Sequence, residues 1–329
     1  MRAIHIKGHG GLDQVQLVDI PEPVAGPDEA IVEVKACGLN YLDIFVRRGM
    51  PGLPVKMPRI PGGDVAGVVK SVGAKVDKGW VGLKVLIDPA VMVGKHLGAL
   101  GEDTDGGLRE RMAIPAVNLI ALPGNVTCEQ AAALPIGYGT AHRMMVTRGR
   151  VAKGELVLIL GASGGVGTAC VQIAKEIGAT VIACASSADK LDRLKKLGAD
   201  HVVDYTKEDF SAAAWKISAK QGVDVCVNYT GGDTWVPSLR AMRMFGRVLT
   251  CGATAGFDPK EDIRYIWRRE IDIVGSNGWT RADLTALVDK VSKGTMIPVI
   301  DRVLPLAETR EAMRALEARE IFGKVLLRP

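Results

Sequence analysis

Apolar and polar positions divide the chain into two regimes. Up to about residue 120, short alternating or apolar runs are broken by glycine and proline. Ala30–Ala36 (AIVEVKA) alternates, Val65–Val72 is apolar around an internal glycine, and Val81–Ile87 is a third such run. They predict strands of a mainly β domain, turned at Gly10-Gly11, Pro61-Gly62-Gly63 and Gly106-Gly107. Met1–Lys7 reads as the start of a strand and not as a leader segment. A helix is predicted after Thr127, capped by Thr127 with Gln130 three residues on, and another over Thr140–Val146.

From Glu155 the pattern becomes strand, helix, strand. The central stretch is ELVLILGASGGVG, residues 155–167. Glu155–Leu160 has the nearly unbroken apolar character of a parallel strand buried on both faces. Gly161 stops it, and after Gly164, Gly165 and Gly167 a helical pattern runs from Thr168 to Ile177. Strand, glycine turn and helix start make a phosphate cradle, because glycines admit an anion close to the backbone and the first helical amides point at it. The fingerprint G-x-G-x-x-G is present with its first glycine replaced: Ala162-Ser163-Gly164-Gly165-Val166-Gly167. Further strands are predicted at Thr180–Ala185, His201–Asp204, Val223–Asn228, Arg247–Cys251 and Ile271–Gly275. Helices are predicted from Ser187, from about Thr206 and from Asp233. The sum is an α/β, Rossmann-type doubly wound parallel sheet. The tail from Ala282 to Leu327 reads as two helices around Val303–Leu306 and a final strand, Val325–Leu327, packing back on the first domain.

Composition adds exclusions. Of 329 residues, 47% are hydrophobic and 24% charged, and no apolar run has the length of a membrane span, so no membrane partner is expected. The net charge of +5 is spread among acids with no aromatic and basic platform, which argues against nucleic acid. Cys37, Cys128, Cys170, Cys184, Cys226 and Cys251 include no C-x-x-C pair and are expected to be free and buried, in a reducing, cytoplasmic setting.

An NAD-preferring fold carries an acid at the end of its second strand, about twenty residues past the glycines. Here that stretch is Ala183-Cys184-Ala185-Ser186-Ser187-Ala188-Asp189-Lys190. No acid stands at the strand end, and Ser186, Ser187 and Lys190 can donate to a 2′-phosphate, so NADPH is the expected cofactor. Taken singly, Ser187 is equally a helix cap and Lys190 a solvated lysine.

Several separate motifs then come in order: CGLNYLD (37–43), IPGGDVAGVV (60–69), GGLRE (106–110), AAALP (131–135), GASGGVG (161–167), LGADHVVDY (197–205) and FGKVLL (322–327). Together they resemble the medium-chain dehydrogenase/reductase superfamily along the whole chain, and within it the zinc-free quinone oxidoreductase branch. The resemblance implies a GroES-like mainly β barrel domain over residues 1–125 and 279–329. It implies a Rossmann domain over 126–278, with a substrate cleft between the two.

Departures from the zinc enzymes of that superfamily carry the functional argument. They place a cysteine where this chain has Asn40, and a histidine–glutamate pair where it has Gly63-Asp64. Their four-cysteine lobe would fall near Met92–Asp105, where there is no cysteine and His96 stands alone. A catalytic zinc needs about three ligands, so no metal is expected. Without one, acceptors that spread the developing charge themselves are favoured: quinones and α,β-unsaturated carbonyls. The resemblance puts Asn40 beside nicotinamide and substrate, and Asp43 and Asp64 in a polar network nearby. It puts Thr140 at the nicotinamide end, Tyr205 near the adenosine phosphate, Cys251-Gly252-Ala253 and Ser276-Asn277 beside the nicotinamide, and Lys324 on the cofactor. Tyr41, the one phenol near the asparagine motif, is the candidate proton donor, with core packing and water as alternatives. Arg111 stands where relatives carry an aromatic.

The expected activity is NADPH-dependent reduction of a small-molecule quinone or enone. Alternatives are an enoyl-CoA reductase, with Arg47, Arg48, Lys56 and Arg59 meeting the CoA phosphates, a zinc-free alcohol or carbonyl dehydrogenase, and a cofactor-binding protein without turnover. The Ile271–Gly275 strand, at a sheet edge, suggests a homodimer.

Overall fold

In the computed structural model, which describes residues 1–52 and 54–329, the chain divides at residues 136 and 283. One unit comprises Met1–Ile136 with Leu284–Pro329, the other Gly137–Asp283. The division falls later than the expected 125 and 278 because the helix Cys128–Ala132 packs on strands Glu29–Gly38, Asp64–Val72 and Lys84–Ile87 of the first unit. Its predicted capping box is present: Thr127 Oγ1 accepts from Gln130 N at 3.1 Å and Gln130 Oε1 from Thr127 N at 3.0 Å.

The first unit is a mainly antiparallel sheet in the order Ile300–Pro305, Lys324–Arg328, Glu29–Gly38, Asp64–Val72, Lys84–Ile87, Leu119–Ala121, with Arg111–Pro115 also paired to Glu29–Gly38. The alternation of residues 30–36 works as the pattern implies. Ala30, Val32 and Val34 enter the core with Val65, Val69, Val85 and Leu327. The final strand lies antiparallel to Glu29–Gly38, pairing Leu326 with Gly38 and Leu327 with Cys37, so the tail packs on the first domain as expected. Residues 300–305, however, are a strand parallel to that final one, and the tail's helices are Arg281–Ser292 and Thr309–Glu317. Met92 and Leu97 stand exposed on a hairpin, Ala90–Val93 with His96–Ala99, where the zinc lobe of the relatives would fall.

A helix at Tyr41–Arg48 goes beyond what the pattern predicts. It starts because Asp43 Oδ2 accepts from Asn40 N at 2.8 Å, and it stops at Gly49, whose φ of +79° ends the turn. Its last turn is tied to the chain's end. Arg47, 2% exposed, and Arg48 both pair with Glu317 of the helix Thr309–Glu317, and Arg47 also donates to Gly10 O at 2.8 Å.

The second unit is a six-stranded, wholly parallel sheet in the order His201–Asp204, Thr180–Ala185, Leu156–Ile159, Val223–Val227, Met242–Thr250, Asp272–Gly275. Strand order reverses between Leu156–Ile159 and Val223–Val227, so the crevice at the strands' carboxyl ends opens there. The helix expected from about Thr206 begins at Phe210, because Asp204 Oδ1 holds Thr206 in a turn and Asp209 caps the helix through Ser211 N and Ala212 N. An unanticipated short helix, Arg264–Arg269, precedes the edge strand. Five cysteines are buried and Cys251 is half-buried, all of them free. Among the described residues no helix is long and apolar enough to cross a membrane.

Removing Glu317 leaves a buried guanidinium without its counter-charge. Glu317→Gln is expected to cost about 3 kcal/mol of stability, read as a lower urea midpoint at unchanged m-value; a midpoint equal to wild type would show the pair to be idle.

Candidate active site

The glycine turn is built by close approach. A Cβ on Gly167 would lie 2.3 Å from Gly161 O and 2.6 Å from Ala162 Cα, so helix Gly165–Ile177 can meet the turn only with glycine there. Gly161 has φ +59°, a conformation that glycine adopts without strain. Gly164 is the helix N-cap and brings no capping side chain, so the amides of the first turn are left for an anion. Ala162 is buried beneath the turn, while Ser163, Gly164, Gly165 and Val166 are half-buried around it.

Two residues that sequence reasoning passes over hold this crevice together. Asn228, fully buried at the end of its strand, donates to Thr234 Oγ1 and Ser238 Oγ and accepts from Thr230 N and Gly231 N. That network fixes the loop carrying Tyr229. The Tyr229 phenol donates to Gly161 O at 2.7 Å, and its backbone oxygen accepts from Thr254 N at 3.2 Å. Ala255 N donates to Thr230 O and Gly232 N to Gly256 O, at 2.7 and 2.8 Å. Tyr229 therefore clasps the loops after three neighbouring strands, and burial pushes its phenol pKa up, keeping it a neutral donor. A signal for this is present in the sequence: a polar Asn directly after an apolar strand and just before Gly231-Gly232.

The other cofactor candidates lie at the same carboxyl edge or near it. Cys251 is half-buried, with burial pushing its thiol up to about 12; Gly252 and Ala253 follow it in the loop. Ser276 N donates to Thr250 O at 2.9 Å, while its buried hydroxyl has no partner among the described residues; Asn277 is exposed. This hydroxyl follows the edge strand and the glycine turn lies three strands away; each leaves hydrogen-bonding groups free for a bound molecule. Thr140 is buried in the short helix Thr140–His142, which packs on helix Gly165–Ile177. Ser186 is half-buried at the strand end. Ser187 is the helix cap, accepting from Lys190 N, and Lys190 is buried and not solvated. Tyr205 is exposed.

In the first unit, Asn40, Asp43, Asp64 and Lys324 come together. Asp64, fully buried, takes Ile136 N on Oδ1 at 2.7 Å, and on Oδ2 Asn40 Nδ2 at 2.8 Å and Lys324 Nζ at 2.7 Å. Lys324 also donates to Asn40 Oδ1 at 2.6 Å and Leu39 O at 2.9 Å. All three ammonium protons of Lys324 are spent within this cluster. Asp43 accepts from Asn40 N and Gly62 N, both at 2.8 Å, yet its pKa rises to about 6 because burial outweighs those bonds. Tyr41 is half-buried, edge-on to Phe45 at 5.2 Å between centroids, and its ring packs against the core. Arg111 forms a forked pair with Glu22. Arg47 and Arg48 are spent on Glu317 and Arg59 on Asp105, leaving Lys56 exposed among the suggested CoA contacts.

A zinc ion does not fit this donor set. A side chain at Gly63 would start with its Cβ 2.7 Å from Ile136 Cδ1, and the Asp64 oxygens are already filled, one of them by an ammonium that would repel a second cation. No group of three His, Cys, Asp or Glu able to hold a metal occurs among the described residues.

Against known proteins, the family described as alcohol dehydrogenase GroES-like domain matches residues 26–124, and that described as zinc-binding dehydrogenase matches residues 165–293. The chain is 31% identical to acryloyl-coenzyme A reductase of Sulfurisphaera tokodaii over 95% of this chain and 96% of that one. It is 29% identical to quinone oxidoreductase-like protein 2 of Rattus norvegicus, over 93% and 86%. A crystal structure of an NAD-dependent alcohol dehydrogenase superposes with a TM-score of 0.93 at 36% identity, all of both chains covered. The chain belongs to the medium-chain dehydrogenase/reductase superfamily, with a GroES-like domain and a Rossmann domain. It is an oxidoreductase of a fold that binds a nicotinamide cofactor, and the open cradle and the orphaned Ser276 hydroxyl fit that group.

Tyr229→Phe removes one hydrogen bond to the turn. We expect nicotinamide cofactor affinity to fall about fivefold, the worth of one neutral bond, in a fluorescence titration, with the thermal midpoint little changed. The Asp43 carboxyl, raised from 3.8 to about 6, binds its proton more tightly folded than unfolded. Its contribution to stability is therefore greatest below about pH 4 and declines as pH rises through 6, by roughly 3 kcal/mol in all. Urea unfolding between pH 4 and 7 should show that decline in wild type and not in Asp43→Asn.

Proposed function

We propose that the protein is an NADPH-dependent, zinc-free reductase of quinones or α,β-unsaturated carbonyl compounds. The observation that carries this reading is the cluster at the zinc-ligand positions of the relatives, where an amide, a carboxylate and an ammonium satisfy one another and leave no place for a metal. A reduced nicotinamide bound at the glycine cradle supplies a hydride. The chain's part is to orient both reactants and to stabilise charge arising on the acceptor oxygen. Lacking a Lewis acid to hold a localised alkoxide, such a site favours acceptors that delocalise the charge, giving a phenolate or an enolate.

Preference for NADPH is supported by the end of strand Thr180–Ala185, where Ser186 and Ser187 carry hydroxyls and no carboxylate stands to repel a 2′-phosphate. The similar alcohol dehydrogenase is described as NAD-dependent, so NADH belongs in the same assay. A second reading, reduction of a short enoyl-CoA, is favoured by the acryloyl-coenzyme A reductase relative. The ion pairs of Arg47, Arg48 and Arg59 weaken it by removing most of the basic face that CoA phosphates would need. A homodimer in the cytoplasm completes the proposal. The edge strand Asp272–Gly275 pairs on one side with Arg247–Thr250 and has a free edge on the other among the described residues.

Metal-stripped protein should oxidise NADPH with a quinone and an enone, unaffected by chelator and faster than NADH, with an enoyl-CoA and a simple aldehyde run alongside. Turnover of the aldehyde alone, restored by zinc, would sink the reading.

A further inference from the structure

The orientation of the Asn40 carboxamide is settled by its two neighbours. An ammonium has no lone pair to offer, so the atom Lys324 Nζ meets at 2.6 Å is the amide oxygen. The Asp64 carboxylate has no proton to give, so the atom facing it at 2.8 Å is Nδ2. One of the two Nδ2 protons is thereby spent. The other has no acceptor among the described residues. Every other group in the cluster is committed: the three Lys324 protons to Leu39, Asn40 and Asp64, and the second Asp64 oxygen to Ile136 N. Asn40 is also the member with surface left, 9% against 2% for Lys324 and none for Asp64.

We infer that this remaining Asn40 N–H is the hydrogen-bond donor for the acceptor oxygen, and that Lys324 is the positioning residue that aims and strengthens it. The inference rests on the conjugated-acceptor reading above and names the group that carries its charge. An ammonium on the carboxamide oxygen draws electron density along the amide and makes its N–H a stronger donor. Asp64 keeps the opposite end from rotating and neutralises Lys324, so the pair aims the amide without leaving either of its own charges unpaired. As hydride reaches the conjugated carbon, the π pair moves to the acceptor oxygen. Asn40 then donates a hydrogen bond without giving up its proton, and solvent protonates the product later. The cluster thus supplies, through an amide, part of the electrostatic support that a zinc ion supplies in the metal enzymes of the family.

The test compares Lys324→Met, Lys324→Arg and the double variant Asp64→Asn/Lys324→Met, which leaves neither charge buried alone and so guards against a simple failure to fold. On an enone, kcat should fall at least tenfold in Lys324→Met and in the double variant, with acceptor KM and NADPH affinity unchanged, and Lys324→Arg should restore most of it. Independently of turnover, 4-nitrophenolate, a stable phenolate, should bind the cofactor-free protein, and its Kd should rise about tenfold in the same two variants. Unchanged kcat and phenolate affinity in the folded double variant would overturn the inference, as would a loss of kcat matched by lost NADPH affinity. Lys324-dependent phenolate binding in a wild-type protein that reduces no conjugated acceptor would sink the proposed function and leave the donor assignment standing.

Discussion

The buried pair between Lys324 and Asp64 is the interaction on which the first unit's chemistry depends. Its partners are 260 residues apart and have 2% and 0% of their side chains exposed. Taking two ions out of water costs several kcal/mol each, so a pair of this kind is a poor source of net stability and an effective device for position. It holds the first residue of the final strand against the first residue of strand Asp64–Val72. From those two side chains hang the Asn40 amide, the Leu39 carbonyl and the Ile136 amide. The start of helix Tyr41–Arg48 is therefore fixed at both ends, by this cluster before it and by the Arg47–Glu317 pair after it. Asp43, raised in pKa by the same burial, closes the arrangement against Gly62.

The second unit solves its problem with backbone instead of charge. Glycines at 161 and 167 allow a strand, a turn and a helix to meet at distances that a side chain would forbid. Such a turn needs something to keep it in shape when no anion is bound. Tyr229 does this through one phenolic hydrogen bond, itself held by the saturated Asn228 network. The buried Ser276 hydroxyl, after the edge strand, has no partner among the described residues.

The two units build their sites differently. The nucleotide-binding unit keeps strand order, glycine turn and helix start. The GroES-like unit gathers an amide, a carboxylate and an ammonium that satisfy one another on its sheet. Residues 90–99 form a two-stranded hairpin apart from the main sheet.

Periodicity and glycine placement by themselves determined the parallel sheet, the cradle at 161–167 and the capped helix after Thr127, because each depends on contacts between near neighbours. The family motifs likewise pointed to Asp43 and Asp64 as members of a polar network near Asn40. Helix Tyr41–Arg48 was not legible, since its start depends on an Asp43 carboxylate held from two directions and its end on an acid at residue 317. Arg47, Arg48 and Arg59 look like a free basic face in the sequence because their acids lie far along the chain. Lys324 looks like a cofactor ligand there, and the polar Asn228 beside Tyr229 marks a loop without showing what the phenol binds. Both had to wait for the tertiary structure for one reason: which side chain an ammonium or a phenol spends its protons on is decided by what folding brings within 3 Å, and for these two the partners lie far away in sequence.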